Sequence, residues 1–506
     1  MNLLTAVASA APAADHAPAA PPGGAADGSV AVLAHGVGSS HDLPISPFYA
    51  FAGAFTALFV SFLGLALLWS TSRFRGDRSG HPLPAVLQRV ADAPATRTAA
   101  RALGLVAALA VLAHLLLGPD DPRRNPAPGA VYVLLWVGLV PASLLLGPVW
   151  RLLNPLRTLH RLLHALLLRL RSSMNRTPLR PQPASGLPPH GPPPQGLPPS
   201  DVPSRDVPSG ELPARELPTR DLSYREPPPR LGLWPAAAGL LGFTWLELVA
   251  PDPASTTTLL TALTGYAVVQ LALAARYGER WFAEGDAFEA YSSLLARLSP
   301  LGRRNDGRLV LRNPFHGLDA TPERPGLLAT VCVLFGSTAY DGFSDNPSWI
   351  DTVQTSSLGR TPTATLGLLA SVLLVAVLYC LCAAATRLLC GPHPGPLTAF
   401  AHSLLPIALG YLVAHYFSLL VTEGPRTVSM ALGTDNALGP AAPPLGPGGL
   451  AALQVTAVVT GHVLGVVAAH DRSVRLFPPA KAVAGQLPLL ALMITYTVGG
   501  LGLLLN

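Results

Sequence analysis

The apolar run over 398–424, TAFAHSLLPIALGYLVAHYFSLLVTEG, carries two imidazoles, His402 and His415, and two phenols, Tyr411 and Tyr416. A run of this length crosses a bilayer, which takes about 20 residues. Ionisable side chains are costly inside such a span, so they face the protein interior and mark a functional site. Read as one helix at about 100° per residue, the run puts His402 and His415 on different faces. His415 then shares a face with Tyr411, while His402 is closer in angle to Tyr416. The competing reading is that each imidazole is neutral and hydrogen-bonded to a neighbouring helix.

The rest of the chain supplies similar elements. Of its 506 residues half are hydrophobic and only 12% are charged, well below the roughly 25% of a soluble domain. The apolar residues come in blocks rather than at amphipathic spacing, which predicts an all-α, polytopic integral membrane protein. About ten spans are expected, over 48–69, 100–117, 129–149, 232–250, 257–275, 326–341, 364–388, 398–421, 450–470 and 486–505. Lys481 is the single lysine, so the basic charge is arginine. Arg73, Arg75 and Arg78, then Arg151, Arg157 and Arg161, then Arg303, Arg304 and Arg308, then Arg472 and Arg475 follow alternate spans. The positive-inside rule places those segments in the cytoplasm and both termini outside, in a bacterial cytoplasmic membrane. The net charge of +6 is therefore sorted across a bilayer, and nucleic acid is not an expected partner. Cys332, Cys380, Cys382 and Cys390 have neither zinc-knuckle nor disulfide-framework spacing, and read as inert thiols.

The domain reading is an extracytoplasmic Ala/Pro/Gly-rich tail over 1–46 and three spans within 47–150. A cytoplasmic amphipathic helix over 151–176 follows, then a Pro-rich linker over 177–231. Two spans lie within 232–275, a cytoplasmic segment covers 276–325, and five spans fill 326–506. In the amphipathic helix Arg157, Arg161 and His164 form one stripe among leucines, which fits a helix lying in the membrane interface. His160 and His164, one turn apart, could hold a metal, but with no acid or thiol nearby in sequence a solvated face is the expectation. The linker repeats every five residues from Asp201 (DVPSR, DVPSG, ELPAR, ELPTR, DLSYR, EPPPR). Such a tract is expected to be extended and disordered, either a spacer or, over 201–230, a site for a cytoplasmic protein partner. In the tail, cleavage after Val32-Leu33-Ala34 would make His35 an amino-terminal copper ligand, with His41 close by; an uncleaved extended segment is the plainer reading.

Orientation allows depths to be compared. His114, Glu247, Asp341 and His415 fall at a similar height near the outer face. Imidazoles and carboxylates at one height suit Zn, Mn, Fe or Cu, and a bound metal makes a nucleophile of water. The expected ligands are His114, Asp341 and His415, with Glu247 as base. A deeper group comprises His402, His462 and His470. The eight-residue spacing of His462 and His470 does not match the roughly fourteen that bis-histidine haem sites use, so haem is not expected. His462 remains a candidate for a proton or metal-ion path, and His402, Tyr411 and His462 count as further intramembrane polar residues.

Several stretches together resemble one family. They are AHGVGSSHDLPIS at 34–46, VYVLLWVGLVPASLLLGPVWRLLNPLR at 131–157, GLWPAAAGLLGFTWLELV at 232–249, GDAFEAYSSLLARLSPLGRR at 285–304, GSTAYDGFSDNPSW at 336–349 and AHSLLPIALGYLVAHYFSLL at 401–420. The chain is similar to polytopic actinobacterial membrane proteins commonly labelled fenitrothion hydrolase. The long pentapeptide linker departs from that pattern. The resemblance implies hydrolysis of a neutral, oily organophosphorus triester, a substrate that would concentrate in lipid. It carries no settled catalytic residues. Two other functions compete with it: a transporter or metal-handling protein that uses the same ionisable residues, and a membrane scaffold acting through its linker.

Overall fold

The computed structural model describes residues 47–174, 224–391, 397–434 and 444–505. The amino-terminal tail, with His35 and His41, and residues 175–223 of the linker region lie outside them.

The described chain is helical apart from one small sheet. The principal helices are α1 (Pro47–Leu68), α2 (Pro94–Leu117), α3 (Pro126–Leu146), α4 (Pro155–Met174), α5 (Trp234–Leu248) and α6 (Thr256–Tyr277). They continue with α7 (Ala287–Leu295), α8 (Leu327–Ser344), α9 (Arg360–Cys390), α10 (Leu405–Ala431), α11 (Pro447–Leu476) and α12 (Leu487–Leu505). Among the described residues nine helices are long and apolar enough to cross a membrane. The expected crossing over 232–250 differs, because α5 has only 15 residues, about 22 Å of helix. It still joins the two ends of the bundle. Leu233 N donates to Pro325 O at 2.8 Å at its start. Beyond its end, Pro253 O accepts from Tyr132 Oη at 2.8 Å. Being wrapped in protein, α5 need not match the thickness of a lipid layer.

Two apolar cores fill the bundle, one among α1, α5 and α7–α12 and the other among α2, α3, α5–α8 and α10. Helices α8 and α10 contribute to both. In each, 61% of the apolar window is buried, against 6% for α2. Helices sealed on all sides cannot be apolar for lipid's sake alone, and these two carry Asp341, His415 and Tyr416. Helices α10 and α11 approach closely at glycines. A Cβ added to Gly461 would lie 2.6 Å from Pro406 O and 3.2 Å from Gly410 Cα. With Gly465 four residues on, this is a small-residue seam that lets backbones pack directly.

The 398–424 run is not one helix. Residues Leu397–Leu404 form a 3-10 stretch, and the α-helix begins at Leu405, with Pro406 in its first turn. Proline suits that position because it has no N–H to contribute. The change of pitch breaks the phase relation between His402 and His415 that a continuous helix would set.

The arginine-rich segments converge at one end of the bundle. Strands β1 (His81–Pro82), β2 (Leu301–Arg303) and β3 (Leu309–Leu311) form an antiparallel sheet in the order β1-β3-β2. Around it Asp77 pairs with Arg297 and Arg312, and Arg472 with Asp319 and Glu323. Asp471 accepts from Trp69 Nε1, Ser72 Oγ and Arg73 N. His316 accepts from Arg75 N at 3.0 Å and packs edge-on against Phe74. At the opposite end Asp120 accepts from Thr256 N at 2.7 Å.

Helix α4 turns its polar stripe inward. Arg157 and His160 are buried, while Leu162, Leu163, Leu166, Leu167 and Leu170 are exposed. The solvated histidine face expected there is therefore corrected, since a leucine face turned outward suits a lipid interface better than water. Arg157 makes a bidentate pair with buried Glu289, at 2.7 Å from Nη2 to Oε1 and 3.2 Å from Nε to Oε2. Arg161 holds Glu279 beside it.

Candidate functional site

Where the two cores meet, α5, α8 and α10 bring three ionisable residues together. His415 Nε2 lies 2.6 Å from Asp341 Oδ2, and both side chains are almost wholly buried. The ring nitrogen and that oxygen are not aligned for a well-formed hydrogen bond. Tyr416 Oη donates to the same Oδ2 at 2.9 Å. The rings of His415 and Tyr416 meet edge-on, with centroids 4.7 Å apart. Consecutive residues of α10 thus grip one carboxylate oxygen of α8.

Glu247 of α5 is the third member. It is 1% exposed, and neither of its carboxylate oxygens has a hydrogen-bond partner. It is near enough to Asp341 for their charges to interact. Its charge also reaches Tyr132, Tyr291 and Tyr416. Buried polar groups are almost always paired, so a carboxyl group with two unused oxygens is a marked exception.

Aromatic rings make the walls. Trp136 stacks on Tyr291 with centroids 4.6 Å apart and also packs on Phe243. Trp136 Nε1 and Tyr291 Oη are further buried polar atoms without partners. Tyr132 and Trp136 sit on an eight-residue π-helical stretch of α3, Ala130–Val137, which closes with Gly138 N bonded to Val133 O at 2.8 Å. Such wide turns are rare and concentrate at functional sites.

Of the expected metal ligands, Asp341 and His415 come together, and Glu247 joins them. His114 does not: its ring is half-buried on peripheral α2, and no described hydrogen bond or ion pair links it to the others. Among the described residues no three His, Cys, Asp or Glu side chains converge so as to hold a metal ion. The expected set of His114, Asp341 and His415 is thus not assembled, and no step through a metal is derived from it.

The deeper histidines are separate. His402 Nδ1 is 3.1 Å from Ala399 O. His462 Nδ1 is 2.9 Å from Val458 O, with its ring 5.7 Å from that of Tyr411. Tyr411 Oη donates to Tyr496 O at 2.7 Å. His470 has Nδ1 3.1 Å from Gln486 Oε1 and Nε2 2.9 Å from Trp69 O.

Tyr416, Trp136, Tyr132 and Tyr291 were not among the expected site residues. Adjacency to His415 is a signal for Tyr416, but no sequence pattern marks the π-helical turn that positions Tyr132 and Trp136. No protein-family model, curated protein or solved structure matches this chain.

Proposed function

We propose that this multi-pass membrane protein is a proton-coupled transporter, with Asp341, His415, Tyr416 and Glu247 as the groups that take up and release the proton. The observation that carries the reading is the close Asp341–His415 contact sealed between two cores beside a carboxyl group with no partner. Intramembrane acids and histidines that face one another serve as proton relays in pumps and transporters. Tyr416 orients the shared carboxylate, and Glu247 offers a second acceptor in the same chamber. The arginine-rich end faces the cytoplasm in this reading, by the positive-inside rule, with both termini outside.

Organophosphorus triester hydrolysis, implied by the family resemblance, competes for the same residues. A metal-dependent form of it would need a further ligand beyond Asp341 and His415. The two readings separate by whether a sealed membrane is required. In proteoliposomes holding a pH-sensitive dye, an imposed proton gradient should collapse faster with the wild-type chain than with Asp341→Asn, His415→Ala or Glu247→Gln. Wild-type flux equal to that of empty liposomes would overturn the transport reading. Release of a phenol from a triester by the chain in detergent, lost in Asp341→Asn, would replace it with the hydrolase.

A further inference from the structure

A second group of unused buried nitrogens lies in the arginine-rich layer, remote from the Asp341 chamber. His160 and His164 are one turn apart on α4. Their rings are nearly parallel, at 11°, with centroids 6.3 Å apart. His160 Nδ1 and His164 Nε2 are both buried and have no hydrogen-bond partner. The His160 ring also lies beside the backbone of Ala274 on α6.

The surroundings are enclosed. Tyr224, on the far side of the linker in sequence, packs its ring 6.1 Å from His160 and 5.8 Å from His164. Phe282 meets His160 edge-on at 6.1 Å. Glu279 is near enough for its charge to act on His160, and it offsets the guanidinium groups of Arg157 and Arg161 beside it.

We propose that His160 and His164 form a two-nitrogen site for a divalent transition metal, with water completing the coordination. Two imidazoles sharing a metal at about 2.0–2.1 Å per bond have centroids some 5–6.5 Å apart, and the observed 6.3 Å falls within that range. Imidazole donors without thiolate suit Cu2+, Ni2+ and Zn2+.

The test uses the full chain without an affinity tag, in detergent, titrated with Cu2+ and followed by electron paramagnetic resonance. His164→Gln should bind one Cu2+ per chain fewer than wild type. The difference spectrum should show coupling to two nitrogens. His160→Gln should lose the same equivalent, and because His160 is buried, its thermal unfolding is recorded alongside. Half-buried His164 gives the variant that keeps the test sound if His160→Gln does not fold. Equal copper stoichiometry and identical spectra in wild type and His164→Gln would overturn the proposal, and would mean that the two nitrogens share only a buried water.

Discussion

Replacing Asp286 with asparagine should remove one identifiable part of the pH dependence of stability. Asp286 caps α7: its Oδ1 accepts from Glu289 N at 2.7 Å. It is 1% exposed. Burial pushes its carboxyl up to about 6 from the ordinary 3.8, and the negative charge of Glu289 adds to the rise. The hydrogen bond from Glu289 N acts the other way. A carboxyl with a raised pKa in the folded state binds its proton more tightly there than in the unfolded chain. Its contribution is therefore complete below about pH 4 and is lost as pH rises through about 6. A rise of roughly two units, at about 1.4 kcal/mol each, makes this about 3 kcal/mol. Asparagine keeps the capping oxygen and cannot ionise. Asp286→Asn should thus match wild type at about pH 3, below both pKa values, and be more stable by about 3 kcal/mol at pH 8. Equilibrium unfolding in mixed micelles at the two pH values reads the difference directly. A variant destabilised at pH 8 would refute the reasoning, because it would mean that the ionised carboxylate is needed by its neighbours.

Arg157→Ala would leave Glu289 buried without its bidentate partner, and breaking such a pair costs about 3–5 kcal/mol. The same unfolding measurement should show that loss, with Arg157→Lys recovering only part of it because a lysine cannot make the planar two-point contact. Gly461→Ala would press a methyl group against Pro406 O at 2.6 Å. Overpacking of this kind costs about 1–3 kcal/mol, so the midpoint of unfolding should fall, whereas Gly499→Ala, with nothing within 4 Å, should leave it unchanged.

The two glycines differ for a reason the chain does not display locally. Gly461 and Gly499 both sit in apolar helices, and only the close crossing of α10 and α11 makes one of them indispensable. The same holds for the histidines. His402, His415, His462 and His470 look alike in sequence, each in or beside an apolar run. Packing gives His415 a carboxylate on α8, gives His402 and His462 backbone carbonyls, and ties His470 to Gln486 and Trp69. His160, which reads in sequence as part of a solvated stripe, is buried because α4 lays its arginine face on Glu279 and Glu289.

By itself the sequence determined the class of the protein and the approximate place of nearly all its long helices. Those follow from local quantities, the length of each apolar run and the places where arginine and proline interrupt it, and neither depends on the neighbours. It also marked Glu247, Asp341 and His415 as expensive residues to bury. Only the tertiary structure decided that these three meet while His114 does not. That outcome depends on which helices are central, on a 3-10 stretch that resets the phase before Leu405, and on a π-helical turn that brings Trp136 and Tyr132 to the chamber. Each is set by packing between segments remote in the chain, and a contact between remote segments leaves no periodicity in either one.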